Sequence, residues 1–297
     1  MFPKTFANLL SPHRRCQVAP RQGLAPFGIA GIAVLLLAAP APAFAVTALV
    51  PHRAVYDLQL QDATEQSGIS NMYGRMVYEF NGSACAGYTV SFRFVTKVDS
   101  GEEVRTTDQQ TTTFEDPHGS FRFLTRSFTD DKLEKEVRGT AQETDKGLAV
   151  DLAAPQKRAI ELTRALFPTE HMLDVIERAR KGEKLFEARV FDGSDSGDKS
   201  MLTTTVIGAE QKAGADGQDR DADKAGTLAK SPYWPVTIAY FEDHSVGDTT
   251  PTYRMTFKLY ENGVTRDLTL DYGDFVLTGK LAKLDLFKQD DCKTEQK

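Results

Sequence analysis

From Ala54 onward the chain alternates between apolar and polar positions. In AVYDLQL, Tyr56, Leu58 and Leu60 share one face. In GYTVSFRFVTKV, Tyr88, Val90, Phe92 and Phe94 fall on one side, and Thr89, Ser91 and Arg93 on the other. SFRFLTRSF places Phe121 and Phe123 together. Period two with β-branched and aromatic residues marks half-buried strands. About a dozen such runs, separated by turn signals at roughly 8–12 residues, predict an antiparallel barrel, sandwich or curled sheet. The clearest hairpin is RMTFKLYENGVTRDLTLDY, where Asn262–Gly263 separates Met255, Phe257 and Leu259 from the run Val264 to Tyr272.

One segment breaks the period. FPTEHMLDVIERARKGE carries Met172, Val175, Ile176 and Ala179 at helical spacing. Thr169 is the expected N-cap after Pro168. Arg178, Arg180 and Lys181 complement the last turn, and Gly182 ends it. Residues 209–231, AEQKAGADGQDRDADKAGTLAKS, are small and charged. A segment of that composition buries too little to order itself, so a mobile loop is expected there.

The first 45 residues read differently. Lys4, Arg14, Arg15 and Arg21 precede an apolar run from Leu24 to Pro42, and AFA closes it at Ala43–Ala45. These are the parts of a secretory signal peptide, with cleavage expected after Ala45. A membrane anchor is the alternative, but prolines and glycines interrupt the run, whose length is borderline for a span of roughly 20 residues. The mature chain, 46–297, is then long enough for one large β domain or two small ones. Without the four basic residues of the leader the net charge goes from −6 to −10. That balance excludes nucleic acid as a partner and disfavours docking on anionic lipid heads. No later run is long enough to span a membrane, so no integral membrane protein is expected after cleavage.

Cys16 leaves with the leader, and Cys85 and Cys292 remain. An even count in an exported chain predicts a disulfide; two unrelated thiols are the alternative.

Candidate chemistry is thin. His52, His118, His171 and His244 are scattered, and no metalloprotease, dithiol, dinucleotide or phosphate-loop motif is present. No cofactor or metal is expected. GSDSG at 193–197 resembles a nucleophile elbow but is centred on Asp195. The acidic stretch FDGSDSGD does not match an EF-hand and reads as a turn. His171 is the most tempting base, more simply a packed residue between helix and sheet. Trp234, in SPYWPVTIAYFED, either lines a ligand groove or starts a core strand.

The residues also carry a resemblance. VPHRAVYDLQL (50–60), ACAGY around Cys85, LFPTEHM before the helix, VFDGSD, YWPVTIAYF and the terminal FVLTGKLAKLDLFKQDDC, in this order, resemble the EipB family of periplasmic envelope-integrity proteins. The resemblance implies a β-spiral, an antiparallel sheet curled into an open, broken barrel with a helix helping to fill it. It also implies a disulfide joining Cys85 to Cys292, and support of the cell envelope without established enzymatic activity. Residues 209–231 depart from it in length or charge.

The expected function is therefore non-enzymatic support of the envelope from the periplasm, by binding an envelope protein or peptide, for instance by strand addition at an open edge. The alternative is a carrier whose inward aromatics (Phe92, Phe94, Phe121, Phe123, Phe257) hold a lipid. The weakest is a hydrolase pairing His171 with a carboxylate such as Asp192. His171, Trp234, Phe92 and Phe94 are the candidate groove residues.

Overall fold

Alternation on this scale produces one sheet. The computed structural model describes residues 49–214, 219, 221–242, 250–289 and 292, so the expected leader and His244 lie outside the described residues. The strands are β1 (His52–Ala63), β2 (Asn71–Ser83), β3 (Gly87–Asp99), β4 (Val104–Asp116), β5 (Ser120–Thr129), β6 (Lys132–Thr144), β7 (Gly147–Ala154) and β8 (Arg158–Leu162). Helix α1 (Pro168–Lys181) follows. Then come β9 (Leu185–Val190), β10 (Met201–Ile207), β11 (Trp234–Glu242), β12 (Tyr253–Leu259), β13 (Thr265–Asp271) and β14 (Phe275–Leu286). Their order is β8-β7-β6-β5-β4-β3-β2-β1-β14-β13-β12-β11-β10-β9, a mainly β, open antiparallel sheet with one helix. The chain meanders outward from β1 to one edge, crosses through α1 to the other, and meanders back until β14 pairs with β1.

Curling needs room on the inner face. Leu58 lies opposite Gly74 on β2 and Gly279 on β14, so large and small side chains alternate along this row. A Cβ on Gly74 would collide with the carbonyl of Val95, so only glycine lets β2 and β3 approach there. The Asn262–Gly263 turn joins β12 to β13 as its sequence predicts, with Gly263 at φ +84° and its N–H donating to the Tyr260 carbonyl at 2.9 Å.

The edges do not pair as strands, yet they are covered. Beyond β8, the Leu166 N–H donates to the Arg189 carbonyl at 2.8 Å, and the Phe191 N–H donates to the Leu166 carbonyl at 2.9 Å. Phe167 and Phe191 then close on Phe121, ring centroids 4.9 and 6.1 Å away. The 191–200 loop continues over β5–β7. Gly193 has φ +67° and rests on the Phe123 ring, where a side chain would clash. Two of its acids are spent on ion pairs: Asp195 with Lys135 (3.1 Å) and Lys199 (3.0 Å), Asp198 with Arg158. This strap is what the acidic stretch forms.

Two apolar clusters result. The smaller lies under the strap and contains Phe121, Phe123, Val137, Val150, Phe167 and Phe191. The larger gathers β1, β2, β11–β14 and the Val175, Ile176, Ala179 stripe of α1. The helix differs from expectation at its start. Phe167 occupies the N-cap position and Pro168 the first turn, while the Glu170 carboxylate accepts the Phe167 N–H at 3.0 Å. Thr169 sits one turn-position further in because a strand residue, Glu115, takes its N–H and hydroxyl. The expected free loop is also corrected. Ala222–Lys224 and Gly226–Lys230 form 3-10 turns, Ala225 and Leu228 are buried, and Asp221 is 2% exposed. Residues 215–218 and 220 lie outside the described residues.

Cys85, in the β2–β3 turn, bonds Cys292 beyond β14, with Cα atoms 5.8 Å apart. The bridge spans 207 residues, and chain-entropy arguments give such a loop about 5 kcal/mol of stabilisation. Cys85→Ser is therefore expected to lower the melting temperature by at least ten degrees or so, and reductant is expected to do the same to the parent protein and nothing to the variant. Thermal melts with and without reductant check this.

Candidate functional site

Among the described residues, the inner face is closed at one end of the curled sheet and open at the other. Across the closed end lies α1. It runs from Glu115, where β4 ends, to the β12–β13 turn, where Arg180 Nε donates to Glu261 Oε1 at 2.8 Å. Inner-face residues near it are buried: Tyr56, Phe80, Tyr88, Phe121, Leu259 and Leu268. Toward the other end the same face stays half-exposed. Leu60, Phe92, Phe94, Val98, Met255 and Phe275 are only partly buried against the core. Tyr240 and Tyr253 stack at 4.2 Å, and Tyr272 and Phe275 extend the row. About a third of the way along the sheet order, β3, β4 and β5 turn hydroxyls inward instead. Thr96 bonds Thr107 at 2.7 Å, and Thr111 bonds Thr125 at 3.0 Å. The result is a cup with a helical floor, an aromatic wall and a hydroxyl wall.

The predicted residues fall in different parts of this cup. Phe92 and Phe94 line it, stacked at 6.2 Å. Phe121 and Phe123 do not, because Phe167 and Phe191 cover them. Phe257 and Trp234 are core residues near the closed end, 3% and 7% exposed, and Trp234 faces Leu259 across β11–β12. Trp234 thus starts a core strand, one of the two positions expected for it. His171 is 4% exposed and packs edge-on against Phe186, centroids 6.0 Å apart. Burial holds its ring neutral down to about 4, and the Asp174 charge offsets this only in part. Its Nε2 has no hydrogen-bond partner among the described residues. Asp192 spends Oδ1 on the Ser194 N–H, so the expected His171–Asp192 pair is not assembled.

Two polar features escaped the sequence. Arg266 is 1% exposed and binds Asp219, Asp221 and the Tyr260 hydroxyl. Asp221 also accepts the Leu281 N–H at 3.0 Å. Lys258 joins at 3.1 Å from Asp267 and 3.5 Å from Asp219. The Arg266 guanidinium holds Asp219 below the usual carboxylate range. This cluster ties the 219–231 segment to β13 and β14. The signal was Arg266 itself, in phase with Leu268 and Leu270 on an inner face. The second feature is Glu115, which receives the Thr169 N–H at 2.8 Å and its hydroxyl at 2.6 Å. Burial nevertheless pushes its carboxyl up to about 7. Among the described residues no group of three or more His, Cys, Asp or Glu side chains could hold a metal ion, and no helix is long and apolar enough to cross a membrane.

Residues 43–288 match the EipB-like family. The chain belongs to the EipB-like family. The Cell envelope integrity protein EipB of Brucella abortus (strain 2308) is 50% identical over 256 residues, covering 86% of this chain and 90% of that protein. The crystal structure of a β-barrel-like protein of a domain of unknown function, also from Brucella abortus, superposes with a TM-score of 0.78 at 50% identity. It covers 81% of this chain and 99% of its own. The family, the open β architecture and the Cys85–Cys292 bridge therefore stand together.

Two measurements follow from the polar features. Arg266→Met strands Asp219 and Asp221 in the interior and is expected to cost about 3–5 kcal/mol in denaturant unfolding. Glu115 binds its proton more tightly folded than unfolded, so its contribution is fullest below about 4.5 and is lost as pH rises toward about 7. His171, held neutral in the folded protein, works in the opposite sense between about 4 and 6.5, so the test is a difference: the unfolding free energy of the parent minus that of Glu115→Gln is expected to fall by roughly 3 kcal/mol as pH rises through that window.

Proposed function

We propose that this protein supports the cell envelope from the periplasm as a non-enzymatic binding protein. Its open cup receives an apolar component of the envelope. The observation carrying this reading is the half-exposed apolar inner face, Leu60, Phe92, Phe94, Val98, Met255 and Phe275, beyond a helical floor. Leaving such surface wet costs about 25 cal/mol per Å², which an apolar occupant recovers. Strand addition by a protein or peptide finds less room. Leu166 and the 191–200 strap cover the edges, and the backbone of the inner face is committed to the sheet. A peptide inside would bring unpaired amides into an apolar space, whereas an acyl chain brings none. The envelope role is supported by the relative in Brucella abortus, whose name states it. Export is supported by the leader-like first 45 residues and by the bridge.

Native mass spectrometry of protein prepared from the periplasm tests this. The expected result is an oxidised chain beginning at Val46 with an added mass that leaves as a lipid on activation. An empty chain that also fails to take up any envelope lipid after delipidation overturns it. Asp192→Asn is expected to restore envelope integrity to a deletion strain as well as the parent does. Failure of this variant, with normal abundance, would revive the hydrolase reading.

A further inference from the structure

The floor of the cup contains two polar atoms that the protein leaves unused. Thr205 on β10 is fully buried on the inner face, and its Oγ1 has no hydrogen-bond partner among the described residues. Its cross-strand neighbours, Phe186 and Ile238, offer it none. His171 packs on the same Phe186 ring from the helix side, and its Nε2 is likewise unpartnered. Two orphan groups therefore flank one phenyl ring. Burying a hydrogen-bonding group unpaired costs about 1–3 kcal/mol, so each of the two calls for a partner.

The surroundings say what that partner is. The next inner-face row toward the mouth holds Ala188, Thr203 and Tyr240. The Thr203 hydroxyl is already given to the Ala188 carbonyl at 2.9 Å. Ala188 and Tyr240 are half-buried, so the inner face begins to open one row from Thr205. Met255 and the Tyr240–Tyr253 stack continue outward. The cation nearby, Arg178, lies 4.4 Å over the same Phe186 ring, but it is paired with Asp174 at 2.9 Å and Glu183 at 2.8 Å, so the charge beside the floor is net negative. Asp174 is also the charge that acts on His171, whose ring burial keeps neutral. A carboxylate or phosphate is thus disfavoured at the floor. A neutral imidazole and a hydroxyl can both donate and accept, which suits a hydroxyl, ester or amide.

We propose that His171 Nε2 and Thr205 Oγ1 form a polar anchor that selects, among apolar occupants of the cup, an acyl chain bearing an uncharged hydrogen-bonding group. The proposal rests on the binding reading above and adds its specificity. A site built to bond a ligand group rejects the analogue that lacks it, because its own polar atoms stay unpaired.

Three probes of equal chain length test it in the purified, oxidised mature protein: monolaurin, laurate and dodecane, followed by native mass spectrometry and titration calorimetry. Monolaurin is expected to bind roughly tenfold more tightly than laurate or dodecane, the worth of one good hydrogen bond. Thr205→Val, which keeps shape, and His171→Phe are each expected to remove that preference while leaving dodecane affinity and the melting temperature near the parent's. Equal binding of all three probes overturns the anchor but leaves the apolar cup standing. So do variants that weaken dodecane as much as monolaurin. Binding of none overturns both.

Discussion

The pairing of β1 with β14 holds the molecule together. Every other neighbouring pair in the sheet joins strands consecutive in the chain, and such hairpins form locally. Among the strand pairs, only this seam, from His52 opposite Leu286 to Ala63 opposite Phe275, joins residues more than 200 positions apart. It alone turns two independent meanders into one curled surface. Its entropic cost is that of closing a very long loop, though that cost grows slowly with length. Three features reinforce it. Leu58, Leu277 and Leu281 bury their side chains along it. Asp221 reaches Leu281 from the ionic cluster. The Cys85–Cys292 bond fastens the strand-turn beside it to the tail of β14.

Once the seam exists, the two free edges come round toward each other, and the chain between them decides what happens there. Full strand pairing would give a closed barrel with no edges. Here the connector around Leu166 and the 191–200 loop occupy the gap, and α1 lies across one end. The helix fills what the curl leaves empty at that end. At the other end nothing comparable enters among the described residues, so Leu60, Phe92, Phe94, Met255 and Phe275 stay half-exposed. Openness is therefore a product of asymmetry, with one helix and two ends.

The strands themselves were plain in the sequence, because a period of two assigns Phe92, Phe94, Leu58 and Phe257 to an inner face without further information. Asn262–Gly263 fixed its hairpin for the same local reason. What escaped was everything decided at a distance. Residues 209–231 look unable to order themselves, yet Arg266, on another strand, binds Asp219 and Asp221 there. Thr169 looks like a cap, but Glu115, from β4, takes its hydrogen bonds. Which phenyl rings are covered depends on Phe167 and Phe191 arriving from the edges. His171 and Thr205 are unremarkable in sequence, since the absence of a partner has no local signature.

The seam also has a consequence in time. The chain is delivered from its N-terminus, by the ribosome and again in export, so β1 through β8 are available to pair before β14 arrives. Throughout that interval one side of β1 presents unanswered amides and carbonyls, with Ala54, Tyr56 and Leu58 alongside. That is the kind of template on which a second nascent chain can settle. The molecule's most important contact is thus its last to become possible. Its period of greatest vulnerability to misassembly is the wait of some 200 residues between making β1 and making its partner.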